Sequence, residues 1–340
     1  MATSPRSDKA GGSVPPAAGE GKTLRARARL TDRGCRFGQI LGEEGGIGKR
    51  RTATGRGRDR CWRMASWQLR VGAVQLCSTP DLAANLTTCR ALVDRAAAEG
   101  AQLVVLPECF AFLGRGEGDK LPHIEALDGG GPILGMLRDL AARHGLWLVG
   151  GGMPEAVPGD PRRAYNTAVV IDPRGALAAR YRKIHLFDVD IPGGAVLRES
   201  DATCAGDELV VAEIGGAKVG LSICYDVRFP ELYRRLVKDR GAEVLLVPAA
   251  FTAHTGAAHW HLLLRARAIE DQAWVVAAAQ WGQHNEKRQS YGHTLVVDPW
   301  GTIAAEQADG DGVVVATLDG DTVAKRRTQM PCLQHAVLWK

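Results

Sequence analysis

The chain has 340 residues, 45% of them hydrophobic and 24% charged, enough for one large core, and no apolar run approaches the roughly 20 residues of a membrane-spanning helix. Its net charge of +5 is unevenly placed: Met1 to Arg63 carry 15 Lys and Arg against 6 Asp and Glu, leaving Met64 to Lys340 with 28 against 32. A mildly acidic body offers no nucleic-acid footprint, and nothing in it points to a membrane partner.

Residues 1–66 are rich in Gly, Ser and Arg and lack periodic apolar spacing, so they read as a disordered basic leader ahead of a single domain over 67–340. Asp8, Glu20, Asp32, Glu43, Glu44 and Asp59 count against a transit peptide. Translation from Met64, with an untranslated extension upstream, is the competing explanation. The expected compartment is the cytoplasm, or the mitochondrion if the leader is a targeting segment. None of the eight cysteines forms a CxxC pair and no secretory leader precedes them, so reduced thiols are expected. His259, His261, His284 and His293 have no metal-motif spacing, and no zinc site is expected.

From Leu69 strand and helix signals alternate. Leu69–Cys77 predicts a strand, and Pro80-Asp81 opens a helix whose Leu82, Leu86, Cys89 and Val93 recur at helical spacing until Gly100. AQLVVLP predicts a buried strand ending at Glu108; PILGMLRDLAARHG and LWLVGGG repeat the helix–strand unit. Hairpins follow, turning at Asp172-Pro173-Arg174-Gly175, at Gly215-Gly216 and at Asp298-Pro299-Trp300-Gly301. Between the last two lie helix PELYRRLVKDRG, strand EVLLVPAA, a helix from about His259 to Asp271 and strand WVVAAAQ. Mixed β-α units and hairpins fit an α/β fold of four layers, an α-β-β-α sandwich, better than one doubly wound sheet.

Three strand ends present reactive side chains: Glu108 after LVVLP, Lys183 in RYRKIHLF and Cys224 after VGLSI. Cys224 lies where a strand gives way to a helix, a geometry that exposes a nucleophile and aims backbone N–H groups at its substrate. Cys77, Cys89 and Cys109 fall on apolar positions and read as core. A thiol with an ordinary pKa of about 8.5 needs a base or a cation to attack at neutral pH. Glu108, desolvated at a buried strand end and therefore raised in pKa, suits the base. Lys183 and the Tyr225 backbone N–H suit oxyanion stabilisation. The competing readings are a structural Glu108–Lys183 salt bridge and a solvated basic patch of Arg180, Arg182 and Lys183.

The blocks LVVLPE, YRKIHLFD and ICYDVRFPEL, in this order between about Leu69 and Trp339, resemble carbon-nitrogen hydrolases of the nitrilase superfamily. The resemblance implies the four-layer nitrilase-type sandwich, a Glu108–Lys183–Cys224 triad, and a second supporting glutamate at Glu199 in LRES. It also implies amide hydrolysis through a cysteine thioester with no metal or organic cofactor, and at least a homodimer. The block from Ala258 to Gly301 resembles the branch that hydrolyses deaminated glutathione to 2-oxoglutarate and cysteinylglycine. His261 departs from this pattern, standing where these proteins usually carry Glu at the start of a helix. Because that small-molecule amide has carboxylates at both ends, Arg228, Thr252, Thr255, His284 and Lys287 are the expected substrate-binding residues. Arg228 could instead pair with Glu231 and His284 could cap a loop. An ω-amidase acting on 2-oxoglutaramate and a non-catalytic interaction module are the alternatives.

Overall fold

The computed structural model describes residues 67–190 and 196–338, so the expectations placed on residues 1–66 lie outside the described residues. In chain order the elements are β1 (Gln68–Gln75), α1 (Leu82–Ala98), β2 (Leu103–Val105), α2 (Pro132–His144), β3 (Trp147–Val157), β4 (Asp160–Ile171) and β5 (Leu177–Arg182). A short pair, β6 (Asp188–Asp190) and β7 (Val196–Arg198), leads to β8 (Thr203–Cys204), β9 (Val211–Ile214), β10 (Ala217–Leu221), α3 (Pro230–Lys238), β11 (Val244–Leu246) and α4 (Ala253–Asp271). The chain continues through β12 (Trp274–Ala277), β13 (Trp281–Gln283), β14 (Gln289–Tyr291), β15 (Thr294–Val297), β16 (Ile303–Gln307), β17 (Gly312–Asp319), α5 (Gly320–Gln329) and α6 (Cys332–His335).

Two sheets carry the fold. One has the order β17-β1-β2-β3-β4-β5 with β8 beside β4, the other β16-β15-β12-β11-β10-β9. In each, three parallel strands form the centre and antiparallel hairpins the edge, which is why the sequence mixes β-α units with Gly and Pro turns. Strand alternation sorts the side chains: Val71, Ala73, Leu103 and Val105 face the second sheet, while Val74 and Val104 face Leu86, Cys89 and Val93 of α1 and Ile133, Leu137 and Leu140 of α2. On the far side of the second sheet, Leu232 and Leu236 of α3 and Trp260 and Leu264 of α4 close the core. The layers are therefore α-β-β-α, as the sequence predicts. No helix among the described residues is long and apolar enough to cross a membrane.

Three local readings change. Helix α4 begins at Ala253, six residues earlier than the apolar spacing suggests, so His261 lies in its third turn and the dipole argument at that position fails. The AHTGAA segment has no apolar stripe to announce it and is helical because it packs on β14, where a Cβ at Gly256 would sit 2.3 Å from the Tyr291 Cβ. Arg180 and Arg182 are not a solvated patch: both bind the buried Glu155 carboxylate, at 3.2 and 2.5 Å. Of the three cysteines assigned to the core, only Cys89 is fully buried; Cys77 and Cys109 are half-buried.

Candidate active site

Glu108, Lys183 and Cys224 converge at the floor of one cleft of about 1010 Å³, counting its open mouth. The first sheet supplies Glu108, just past β2, and Lys183, just past β5; the second supplies Cys224, just past β10. All three are buried. Cys224 holds φ at +48°, a left-handed conformation costly for any residue with a Cβ. The strain is held in place from both sides: the Cys224 N–H donates to Pro248 O at 2.8 Å, and the Asp226 carboxylate accepts from Ile223 N at 2.8 Å. Asp226 is itself fully buried and also accepts from the Tyr181 hydroxyl and the His185 backbone N–H.

The Glu108 carboxylate is surrounded by donors. Lys183 Nζ and Asn166 Nδ2 each reach Oε1 at 2.9 Å, and Ala250 N reaches Oε2 at 2.9 Å. Lys183 Nζ donates a second time, to Glu199 Oε2 at 2.8 Å, and Glu199 is fixed by Phe187 N at 2.8 Å and Asn166 Nδ2 at 3.2 Å. Burial pushes the Glu108 carboxyl up, but the Lys183 charge and these hydrogen bonds outweigh it and hold it below the ordinary carboxylate value. This reverses the sequence expectation, which counted desolvation and not the three donors. Burial, reinforced by the Glu108 charge, pushes the Cys224 thiol well above its ordinary value. Burial would lower Lys183, yet Glu108 and Glu199 hold it well above the ordinary lysine value. The resting site is thus a neutral thiol beside a carboxylate–ammonium pair.

The salt-bridge reading of Glu108 and Lys183 is correct as geometry, and the pair sits in the same cleft as the Cys224 thiol. Asn166 bridges the two glutamates, and sequence reasoning passes over it because an Asn inside a strand carries no spacing signal. Room for it depends on Gly152, where a Cβ would lie 2.6 Å from Asn166 Oδ1 and 3.3 Å from Glu108 Cγ. Gly152→Ala should therefore lower kcat by about 10²-fold, of the order expected for an ångström-scale displacement of reacting groups, while the variant stays folded. Steady-state kinetics with circular dichroism checks both halves.

Tyr225 lines the cleft at the second position of the short turn that begins at Cys224, where backbone N–H groups have no partner within the turn. Arg228, Thr252 and Thr255 line it as well. Arg228 contacts His259 at 3.3 Å and lies over the Phe251 ring, rather than pairing with Glu231. His284 and Lys287 are outside the lining. His284 is buried, donates from Nδ1 to Ser78 O and accepts at Nε2 from Ser290, and burial lowers its pKa to about 4, so it is a neutral packing residue. Lys287 is exposed. Arg288, one residue on, reaches the cleft instead, together with Lys120, so with Lys183 and Arg228 the cleft carries cations on four separate segments, and Glu117 lies 3.4 Å from Lys120 and 4.0 Å from Arg288.

Residues 70–328 match the family model described as carbon-nitrogen hydrolase. A deaminated glutathione amidase from Synechocystis sp. is 46% identical over 267 residues, spanning 78% of this chain and 97% of that protein. The crystal structure of the C. elegans NitFhit protein superposes with a TM-score of 0.76 at 40% identity, covering 81% of this chain and 67% of that one. A mutant amidase from Nesterenkonia sp. AN1, carrying the acetamide moiety of fluoroacetamide covalently at its active-site cysteine, superposes with a TM-score of 0.65 at 28% identity, covering 78% and 96%.

Proposed function

Because the chain belongs to the carbon-nitrogen hydrolase family of the nitrilase superfamily, and so hydrolyses non-peptide C–N bonds, we propose that Cys224 is its nucleophile and deaminated glutathione its substrate. The observation that carries the mechanism is a buried carboxylate hydrogen-bonded to an ammonium in the same cleft as a buried thiol. Glu108 takes the thiol proton as sulfur attacks the amide carbon, and the C=O electrons move onto oxygen. Lys183 Nζ and the Tyr225 N–H stabilise that oxyanion. As the C–N bond breaks, Glu108 returns the proton to nitrogen and releases the amine, leaving an acyl thioester on Cys224. A water then loses its proton to Glu108, attacks the thioester and frees the acid and the thiol. Glu199, with Asn166, holds Lys183 in position.

For the substrate, support comes from Lys120, Arg228 and Arg288 in the cleft and from the 46% identical relative named for it. Arg228, Arg288 and Lys120 are placed to receive the carboxylates at the two ends of the molecule, with Thr252 and Thr255 offering hydroxyls. The products are 2-oxoglutarate and cysteinylglycine. We further propose at least a homodimer, as the resemblance of the motif blocks implies, and sedimentation reads that directly.

Turnover of deaminated glutathione and of 2-oxoglutaramate by the same preparation tests the choice. Release of cysteinylglycine should be the faster, and Arg288→Gln should raise its KM by about 10-fold with kcat little changed, as expected for loss of one charge-assisted contact. Faster ammonia release from 2-oxoglutaramate overturns the substrate. Absence of an acyl adduct on Cys224 by intact mass, with either compound, overturns the nucleophile.

A further inference from the structure

Away from the cleft, His261, His293 and Glu306 bring three ligand atoms within 4.8 Å of one another. They come from α4, from the residue before β15, and from β16, so only the fold assembles them. His261 Nε2 lies 2.9 Å and His293 Nδ1 2.7 Å from the same Glu306 oxygen. The rings are set by rigid neighbours. His293 is held at φ +59°, its carbonyl accepts from the fully buried Trp260 indole at 2.9 Å, and its ring stacks on Tyr291 at 4.3 Å. His261 meets His293 edge-on at 4.9 Å and Tyr291 at 6.0 Å. All three ligand side chains keep a quarter to a third of their surface exposed, so an ion and a water can enter.

We propose that these residues form a binding site for a divalent transition metal of the zinc class, with two imidazole nitrogens, one carboxylate oxygen and a water completing a tetrahedron. Such an ion needs Zn–N bonds of about 2.0–2.1 Å and ligand atoms roughly 3.3 Å apart. The two His–Glu separations must open by a few tenths of an ångström, and the His–His distance, now at most 4.8 Å, must settle at about the same 3.3 Å, changes that side-chain rotation provides. Each neutral imidazole moves its proton to its other ring nitrogen, Nδ1 in His261 and Nε2 in His293, freeing the lone pair for the ion; an imidazolium would release a proton instead. Imidazole and carboxylate together favour zinc over calcium or magnesium, which take oxygen ligands. The ion ties α4 to the β15–β16 hairpin, and through α4 to the end that bears Thr255 in the cleft.

The test is titration of the purified chain with Zn²⁺ by calorimetry and with Co²⁺ by absorption, beside His261→Gln and His293→Asn. Gln keeps an N–H for Glu306, and Asn tolerates the left-handed backbone that position 293 requires. The wild type should bind one equivalent with a nitrogen–oxygen Co²⁺ spectrum and gain thermal stability in Zn²⁺. Each variant should lose affinity by at least the roughly 10- to 100-fold that even an outer-shell partner commands. Unchanged affinity in a folded variant, a thiolate-to-cobalt band that disappears in Cys224→Ala, or no binding at about 100-fold molar excess overturns the site. If one variant fails to fold, the other decides. Metal binding is read without substrate, so its failure leaves the amidase reading intact.

Discussion

Lys183→Met will cost about 3–5 kcal/mol of stability at neutral pH, the range for removing one partner of a buried ion pair, and will abolish turnover. Lys183 is buried with its ammonium shared between Glu108 and Glu199. Methionine matches its length but leaves both carboxylates buried with only Asn166 and backbone N–H donors. The penalty has a definite pH signature. In the native protein Glu108 is held below its ordinary value, so it contributes stability above the unfolded-state value, and that contribution is lost only as pH falls through the lowered native one. Without the cation, burial of Glu108 is opposed only by Asn166 and a backbone N–H and raises its carboxyl, so the variant regains stability as pH falls and Glu108 takes up its proton. Denaturant melts at pH about 7 and about 5 should therefore show the gap between wild type and variant narrowing on acidification. A gap independent of pH would mean that Lys183 acts through packing alone.

Glu108→Gln should lower kcat/KM by about 10²–10⁴-fold, the span attributed to one general acid–base group. Glutamine cannot accept the thiol proton, and its amide places N–H donors against a ring of three: Lys183, Asn166 and Ala250 N. Raising the pH should not restore activity within the stable range, because Cys224 is held well above its ordinary value by burial as well as by Glu108. The wild-type acid limb should fall below the ordinary glutamate value of 4.5, since the base is lowered and the thiol need not ionise in advance. A pH–rate profile on both proteins checks this. An acid limb between about 6 and 7 would mean that the base is raised, as the sequence alone suggests. Intact mass after mixing should show the acyl adduct on wild type during turnover and none on the variant.

Much of this was written locally. Apolar alternation and the Gly- and Pro-bearing turns predict the central strands, the hairpins and the layer order, because period and turn chemistry act over a few residues. Glu108, Lys183 and Cys224 are legible for the same reason: each ends a strand beside the motif that builds it. The start of α4 was not legible, because its first two turns are helical through contact with β14 and not through an apolar stripe.

What the sequence could not carry is who meets whom. His284 and Lys287 look as cationic as Arg288, and only the β13–β14 hairpin register decides that Arg288 faces the cleft while His284 turns into the core. Asn166 becomes a bridge, and Glu108 a lowered acid instead of a raised one, through donors from β4, from the chain after β5 and from the chain after β11. The sequence by itself determined the fold class and the strand-end positions of Glu108, Lys183 and Cys224, since both are encoded in short-range pattern. The tertiary structure decided their protonation, the lining of the cleft and the meeting of His261, His293 and Glu306, since electrostatics and coordination depend on distances between segments that sequence spacing does not measure.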